Sequence, residues 1–243
     1  MRLGVLGGLG PMATAYYLEL VVRMTDAKRD QDHPEILLMN IPTIPDRTAF
    51  ILGKSQDDPA KPMIELGCQL KQLGAEVIAT PCVTAHYFHE QLQKGIGLPV
   101  IHVISCTAKL LADKGIRKVG LMATDGTVQS GIFQEKLTQA GIHTVLPTQE
   151  NQRGVMDLIY NQVKAGLPAD MDLFFRICHQ LQADGAQVVL LGCTELSLLK
   201  KQQELGTGIL DVLDVLAKES VIACGKPVKP EYDNLFIPFG DKE

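Results

Sequence analysis

Apolar residues come along this chain in short unbroken runs separated by longer stretches of helical spacing. Residues 2–7 are nearly all apolar, the pattern of a strand buried on both faces of a parallel sheet. Gly7-Gly8-Leu9-Gly10-Pro11 then predicts a tight turn, with Pro11 suited to the first position of a helix. Over residues 12–28 the period changes: Ala15, Leu18, Val22 and Thr25 form a stripe, with Tyr16, Glu19 and Arg23 beside it. A second strand is expected at 35–40. A long proline-marked loop follows from Pro42 to Asp58, a length usually found in functional loops. The pattern then predicts a helix at 59–73, a strand at 76–80, a helix at 84–94 and a strand from Pro99 to His102. From Lys118 the chain starts again with a strand. Strands near 143–146 and 186–191, helices near 151–164, 170–183, 195–203 and 211–224, and an irregular surface tail from Lys226 complete it. Strands alternating with helices mean βαβ units and parallel sheets, whose ligands bind beyond the carboxyl ends of the strands.

The second start is an internal repeat. Gly74-Ala75-Glu76-Val77-Ile78 leads to Pro81-Cys82-Val83-Thr84, and Gly185-Ala186-Gln187-Val188-Val189 leads to Gly192-Cys193-Thr194-Glu195. Cys82 falls on Cys193 at a shift of 111 (193 − 82), and Gly74 falls on Gly185 at the same shift. The opening strand falls on Lys118 to Thr127 at a shift of 116 (118 − 2). Two cysteines at equivalent strand ends place one thiol in each half, on either side of anything bound between them.

Composition narrows the classes. With 243 residues, 46% hydrophobic and 21% charged, the chain is long enough for one large domain or two small ones. A net charge of −5 and no Lys/Arg run remove the electrostatic footprint of nucleic-acid binding. No apolar stretch reaches the roughly 18 residues of a membrane span, so no membrane partner is expected. The apolar N-terminus is too short for a secretion signal and has no cleavage site. Six cysteines without a CxxC pair are expected as free thiols in a reducing cytoplasm.

Candidate chemistry follows from these positions. A free cysteine is ordinarily a small buried hydrophobe, and Cys68, Cys106, Cys178 and Cys224 read that way. Cys82 and Cys193 each follow a strand and precede a helix, where main-chain N–H groups and the helix dipole favour a thiolate. One thiolate and one thiol would make an acid/base pair. Gly8 to Ala13 fits the dinucleotide pattern G-x-G-x-x-A, but the second strand ends in Asn40 rather than an acid, and Pro11 removes a donor. A turn whose N–H groups, Gly8's included, hold a carboxylate fits better. Arg47 and Lys164 stand in nearly equivalent places, 117 residues apart (164 − 47), and as a pair could grip carboxylates. Cys82, His86, His89 and Glu90 have spacings open to a metal, but nothing similar surrounds Cys193, and a metal would occupy the thiolate. Glu195 is either a helix-dipole carboxylate or the partner of a substrate ammonium.

The set GGLGPMAT, DRTAF around Arg47, PCVTAH and LGCTEL resembles the aspartate/glutamate racemase family over essentially the whole chain. The resemblance implies two α/β lobes related by a pseudo-twofold axis, each a parallel sheet flanked by helices, with the active site in the cleft between them. It implies lobes of residues 1–103 plus 212–243 and of 104–211. It also implies a homodimer and the absence of pyridoxal phosphate or metal. Cys82 and Cys193 become the acid and base. Gly8, Arg47, Thr84, Thr124, Thr127, Lys164, Thr194 and Glu195 become substrate contacts, as does position 83. There Val83 stands where members usually carry Asn, an amide expected to hydrogen-bond the substrate.

The expected function is cofactor-independent racemisation of an acidic amino acid, aspartate or glutamate. Two alternatives stand beside it. One is related carbanion chemistry on another amino or hydroxy acid; the other is a catalytically silent protein that binds an acidic amino acid.

Overall fold

The computed structural model describes residues 1–240 of the chain. Strand β1 (Leu3–Gly7) is buried at all five positions and lies between β2 (Ile36–Asn40) and β3 (Val77–Ala79), parallel to both. The second half repeats this order. Strand β4 (Lys118–Met122) lies between β5 (His143–Val145) and β6 (Val188–Leu191), again all parallel. A short β7 (Ile209–Asp211) extends this sheet beyond β6. The molecule is therefore an α/β fold of two parallel sheets flanked by helices, as expected.

The repeat reaches into side-chain packing. A Cβ at Gly4 of β1 would lie 2.7 Å from Ile78 and 3.3 Å from Leu70 Cβ; one at Gly120 of β4 would lie 2.9 Å from Leu181 Cβ. Leu70 and Leu181 are related by the same shift as the cysteines. In each half a glycine lets the helix before the cysteine strand sit close on the central strand.

Helix α1 (Pro11–Met24) begins at Pro11 and stops before the expected 28, because Thr25 bridges antiparallel to Val228. The long loop contains a short helix, α2 (Arg47–Ile51), whose N-cap Asp46 accepts from the Ala49 N–H at 2.8 Å. Helix α3 (Ala60–Gln72) is as expected. The expected helix at 84–94 divides into a 3₁₀ turn (Val83–Phe88) and α4 (His89–Ile96). The expected strand at 99–102 is reduced to one bridge, Val100 to Ile78. Pro99 has no N–H to give, and His102 already caps α5 (Val103–Asp113) by accepting from the Ser105 N–H at 3.2 Å. After β4 come α6 (Asp125–Ser130) and α7 (Ile132–Gln139), then α8 (Gln149–Asp157), which widens into a π-helical turn over Leu158–Val163. Helix α9 (Met171–Ala183) precedes β6, a 3₁₀ turn (Leu196–Lys201) follows it, and α10 (Val212–Ala223) follows β7.

Helix α10 packs on α1 of the first half and on α5, which begins the second. Tyr17 of α1 donates to Ser220 of α10 at 2.5 Å in full burial. One core runs through both halves, from Leu3 and Val5 through Val119 and Leu121 to Leu213 and Leu216. The tail is irregular but not merely superficial: Phe236 is buried, and the Ile237 carbonyl accepts from the Gly208 N–H at 2.6 Å.

Candidate active site

The carboxyl ends of β1, β3, β4 and β6 converge where the two sheets face each other. After β3 the chain turns sharply, the Cys82 N–H donating to the Thr80 carbonyl at 2.7 Å, and Cys82 opens the 3₁₀ turn that follows. After β6, Cys193 holds the equivalent place, its carbonyl accepting from the Leu196 N–H at 3.0 Å. That second turn is braced from below. Ser197 donates to Asp211 at 2.7 Å, and Lys200 pairs with Asp211 and Asp214. Both cysteines are buried, and both line one inner cavity of about 10 Å³ between the halves. Arg47, Thr84, Thr124, Lys164, Thr194 and Glu195 line it too, as does Val83. Such a volume suits about one water molecule, so the cleft is closed.

Three hydroxyls join the halves across this cleft. Thr84 lies 3.1 Å from Thr124 and 3.0 Å from Thr127, which are themselves 3.1 Å apart. All three are buried. Thr127 meets the site through this triangle rather than through the cavity wall. Thr194 donates to the Pro81 carbonyl at 3.4 Å, a second tie between the cysteine loops.

Charge is arranged unevenly around the thiols. Cys193 donates to the Glu195 carboxylate at 3.0 Å. Burial first, and the Glu195 charge second, push the Cys193 thiol well above its ordinary range, with Lys164 pulling the other way. The expectation of a thiolate-favouring helix end therefore fails at Cys193. The turns after both cysteines are 3₁₀ rather than α, so neither has the expected α-helix end, and Cys193 in addition has an anion beside it. Burial opposes the charge on Arg47, but Cys82, Asp46 and Glu195 beside it outweigh burial and keep the guanidinium charged. Lys164 is likewise desolvated and likewise held charged, by Glu195 first, then by Cys193, Tyr160 and Asp46.

Arg47 is more committed than its sequence suggests. Its Nη1 donates to the carbonyls of Ile44 at 3.2 Å and Pro45 at 2.8 Å, and its Nη2 to that of Leu9 at 2.9 Å. Gly8, with φ of +98°, turns the chain so tightly that a Cβ would lie 2.4 Å from the Ile41 backbone. Its N–H donates to the Thr14 hydroxyl at 2.9 Å, and the residue lines a larger outer cavity.

Asp46 and Tyr160 also belong to the site. The Tyr160 hydroxyl donates to Asp46 at 3.2 Å, and Lys164 sits 4.0 Å above the Tyr160 ring and 3.8 Å from Asp46. Asp46 lies within the DRTAF stretch; Tyr160 has only its four-residue spacing from Lys164 to mark it. The histidines turn elsewhere. His86 reaches the carbonyls of Cys82 at 3.1 Å and Ile101 at 3.2 Å, and His89 that of Val100 at 2.9 Å. Burial lowers His86 to about 4, and His102 likewise. Among the described residues no group of three or more His, Cys, Asp or Glu side chains is placed to hold a metal.

Two parallel sheets of repeated strand order thus meet at a cavity that both cysteines line. The chain belongs to the Asp/Glu/Hydantoin racemase family, whose model matches residues 6–220. Its fold and its relatives make it an isomerase of the amino-acid racemase kind. It is 25% identical over 225 residues to the broad specificity amino-acid racemase RacX of Bacillus subtilis, covering 90% of this chain and 96% of the relative. The structure of Picrophilus torridus aspartate racemase superposes with a TM-score of 0.84 at 30% identity, covering 96% and 98% of the two chains. A putative Asp/Glu racemase from Yersinia pestis superposes at 0.77 with 25% identity, covering 92% of this chain and 99% of its own.

Proposed function

We propose that the protein inverts the α-carbon of a free amino acid with Cys82 and Cys193 as opposed base and acid, and with no bound cofactor in the proton transfers. The observation that carries this is the placement of two repeat-related, buried cysteines on one cavity between the halves. In one direction Cys82, as thiolate, takes the α-proton and the Cα–H pair stays on carbon as a carbanion. Cys193, as thiol, then gives its proton to the opposite face. The bond electrons return to Cα–H, and the charge has moved from one sulfur to the other. The reverse direction exchanges the roles.

Cys193 suits the donor role at rest, because burial and Glu195 keep its proton on. Acid/base catalysis of this kind supplies about 10²–10⁴-fold. The rest must come from stabilising the carbanion, and the hydroxyl triangle, Arg47 and Lys164 are placed around the closed cleft for that. Aspartate and glutamate are the substrates that the family resemblance offers first; the names of the relatives cover both aspartate and broader specificity. We also divide the chain into lobes of 1–103 plus 212–243 and 104–211, a division supported by the packing of α10 on α1. Six unpaired cysteines favour a cytoplasmic setting, and the family resemblance favours a homodimer.

Cys82→Ala and Cys193→Ala should each lower racemisation at least ~10²-fold, read by chiral chromatography, with the circular dichroism of the parent. Each variant should still exchange the α-proton of the enantiomer that its surviving thiol faces. If both variants racemise like the parent, the two-thiol mechanism is wrong.

A further inference from the structure

Asp211 holds both ends of the segment that carries Cys193. In the register of β6 and β7 it stands opposite Leu191, two residues before the cysteine. Its side chain accepts from the hydroxyl of Ser197, four residues after the cysteine, at 2.7 Å. Between those anchors lie Cys193, Thr194 and Glu195, all three on the inner cavity. The tie is buried, with Ser197 0% and Asp211 3% exposed. A hydroxyl bonded to a carboxylate away from water is a strong and directional link. The carboxylate is fixed in its turn: it accepts from the Leu213 N–H at 2.9 Å at the start of α10, and Lys200 pairs with it and with Asp214.

The repeat places a counterpart beside the other thiol. Ser197 falls on His86 at the shift of the cysteines (197 − 86 = 111). His86 is also buried and reaches the carbonyls of Cys82 at 3.1 Å and Ile101 at 3.2 Å. The Ile101 N–H donates to the Ile78 carbonyl of β3 at 2.9 Å, so Ile101 runs beside the first cysteine strand as Asp211 runs beside the second. In each half, the residue four places after the cysteine ties the turn to the chain just ahead of the next helix. The chemistry of the tie differs between the halves, but its place relative to the cysteine does not.

We infer that Ser197 and Asp211 are positioning residues for proton transfer at Cys193, holding its turn where the thiol meets the α-carbon. This rests on the two-thiol reading and deepens it. Neither side chain lines the inner cavity, so both act through the turn.

The test uses an amino acid that the protein racemises, found by screening the common ones for α-proton exchange in deuterium oxide, and prepared with deuterium at Cα in its L and D forms. Ser197→Ala deletes the tie but leaves Asp211 its bonds to Leu213 and Lys200, so no carboxylate is stranded. It should lower kcat about ten-fold. The primary isotope effect on kcat/KM should rise for the enantiomer that Cys193→Ala can no longer exchange, because removal of that deuteron by Cys193 becomes the slow step. It should fall for the other enantiomer, for which delivery from Cys193, a step without substrate deuterium, becomes limiting. An unchanged kcat, or a lower kcat with both isotope effects unchanged or moved together, overturns the inference while the two-thiol reading stands. If Cys193→Ala racemises like the parent, or no amino acid exchanges, both fall. A second measurement needs no substrate. Iodoacetamide labelling, read by mass spectrometry, should reach Cys193 of Ser197→Ala about ten-fold faster than in the parent. Cys178, buried in the same half, should label at the parent's rate. An equal gain at both cysteines would mean a general loosening and would also overturn the inference.

Discussion

Glu195 does two things to its surroundings. It accepts the Cys193 proton donor at 3.0 Å, and its buried Oε1, without a hydrogen-bond partner, lies 3.9 Å from the Lys164 ammonium. Glu195→Gln keeps the shape and removes the charge, so the two effects can be separated. Cys193 should titrate at lower pH, because the anion that helped to hold its proton is gone. In the direction where Cys193 is the base, the rising limb of the kcat–pH profile should therefore move to lower pH. KM should rise roughly ten- to a hundred-fold, for about 1.5–3 kcal/mol of a lost hydrogen bond to a charged group. A limb that stays in place would mean that Glu195 does not govern the thiol. The cysteines were legible in the sequence because the repeat singles out two of six. The commitment of Arg47 was not, because the carbonyls of Leu9, Ile44 and Pro45 come together only when β1 and the loop before α2 fold side by side. Tyr160 was hidden for another reason: its spacing from Lys164 is that of any helix face.

Among the elements, α2 and α6 carry the alignment of the two halves. A Cβ at Gly126 of α6 would lie 2.9 Å from Thr48 Cα, a backbone atom next to Arg47. Gly126→Ala must move α2, and a misplacement near 1 Å can cost about 10²-fold in rate. We expect kcat to fall at least ~10-fold with the fold retained by circular dichroism; an unchanged kcat would release α2 from this role. The segment before α5 is tied down by histidines kept neutral. An unfolded histidine binds its proton near 6.5, whereas burial first, then the neighbouring His86 and His89, lower folded His102 to about 4. Between those values the unfolded chain binds more protons, so this contribution to stability is full above about pH 6.5 and is lost as pH falls toward 4. His102→Asn keeps an N-cap acceptor and removes the titration. Its melting temperature should drop less than the parent's between pH 7 and pH 5; an equal drop would contradict the assignment. The longer elements were readable from their periods. Strand β7 has only three residues and α2 only five, too short for a period to register, and the apparent strand at 99–102 was cut short by Pro99 and by the cap that His102 provides.

At the scale of the whole molecule, the internal repeat organises the fold. Each half supplies a three-strand parallel unit, a glycine-packed helix and a cysteine loop, and α10 binds the second half back onto the first. The cleft is then closed by contacts that cross it: the threonine triangle, Thr194 to Pro81, and Tyr160 to Asp46. The inner cavity of about 10 Å³ shares Asp46, Arg47, Lys164 and Glu195 with the outer cavity of about 390 Å³, and we expect the contacts across it to loosen as a substrate enters. In the mechanism we propose, closure around the substrate excludes water and the two sulfurs move the α-proton. That claim is tested most directly by isotope bookkeeping in a single turnover. An L-amino acid that the protein turns over, carrying protium at Cα, is mixed with excess protein in deuterium oxide and quenched early. The account predicts deuterium at Cα in nearly all of the D-product, and protium still in the recovered L-substrate. D-product that retains the original protium would mean one group carrying the same proton across both faces, and would contradict it.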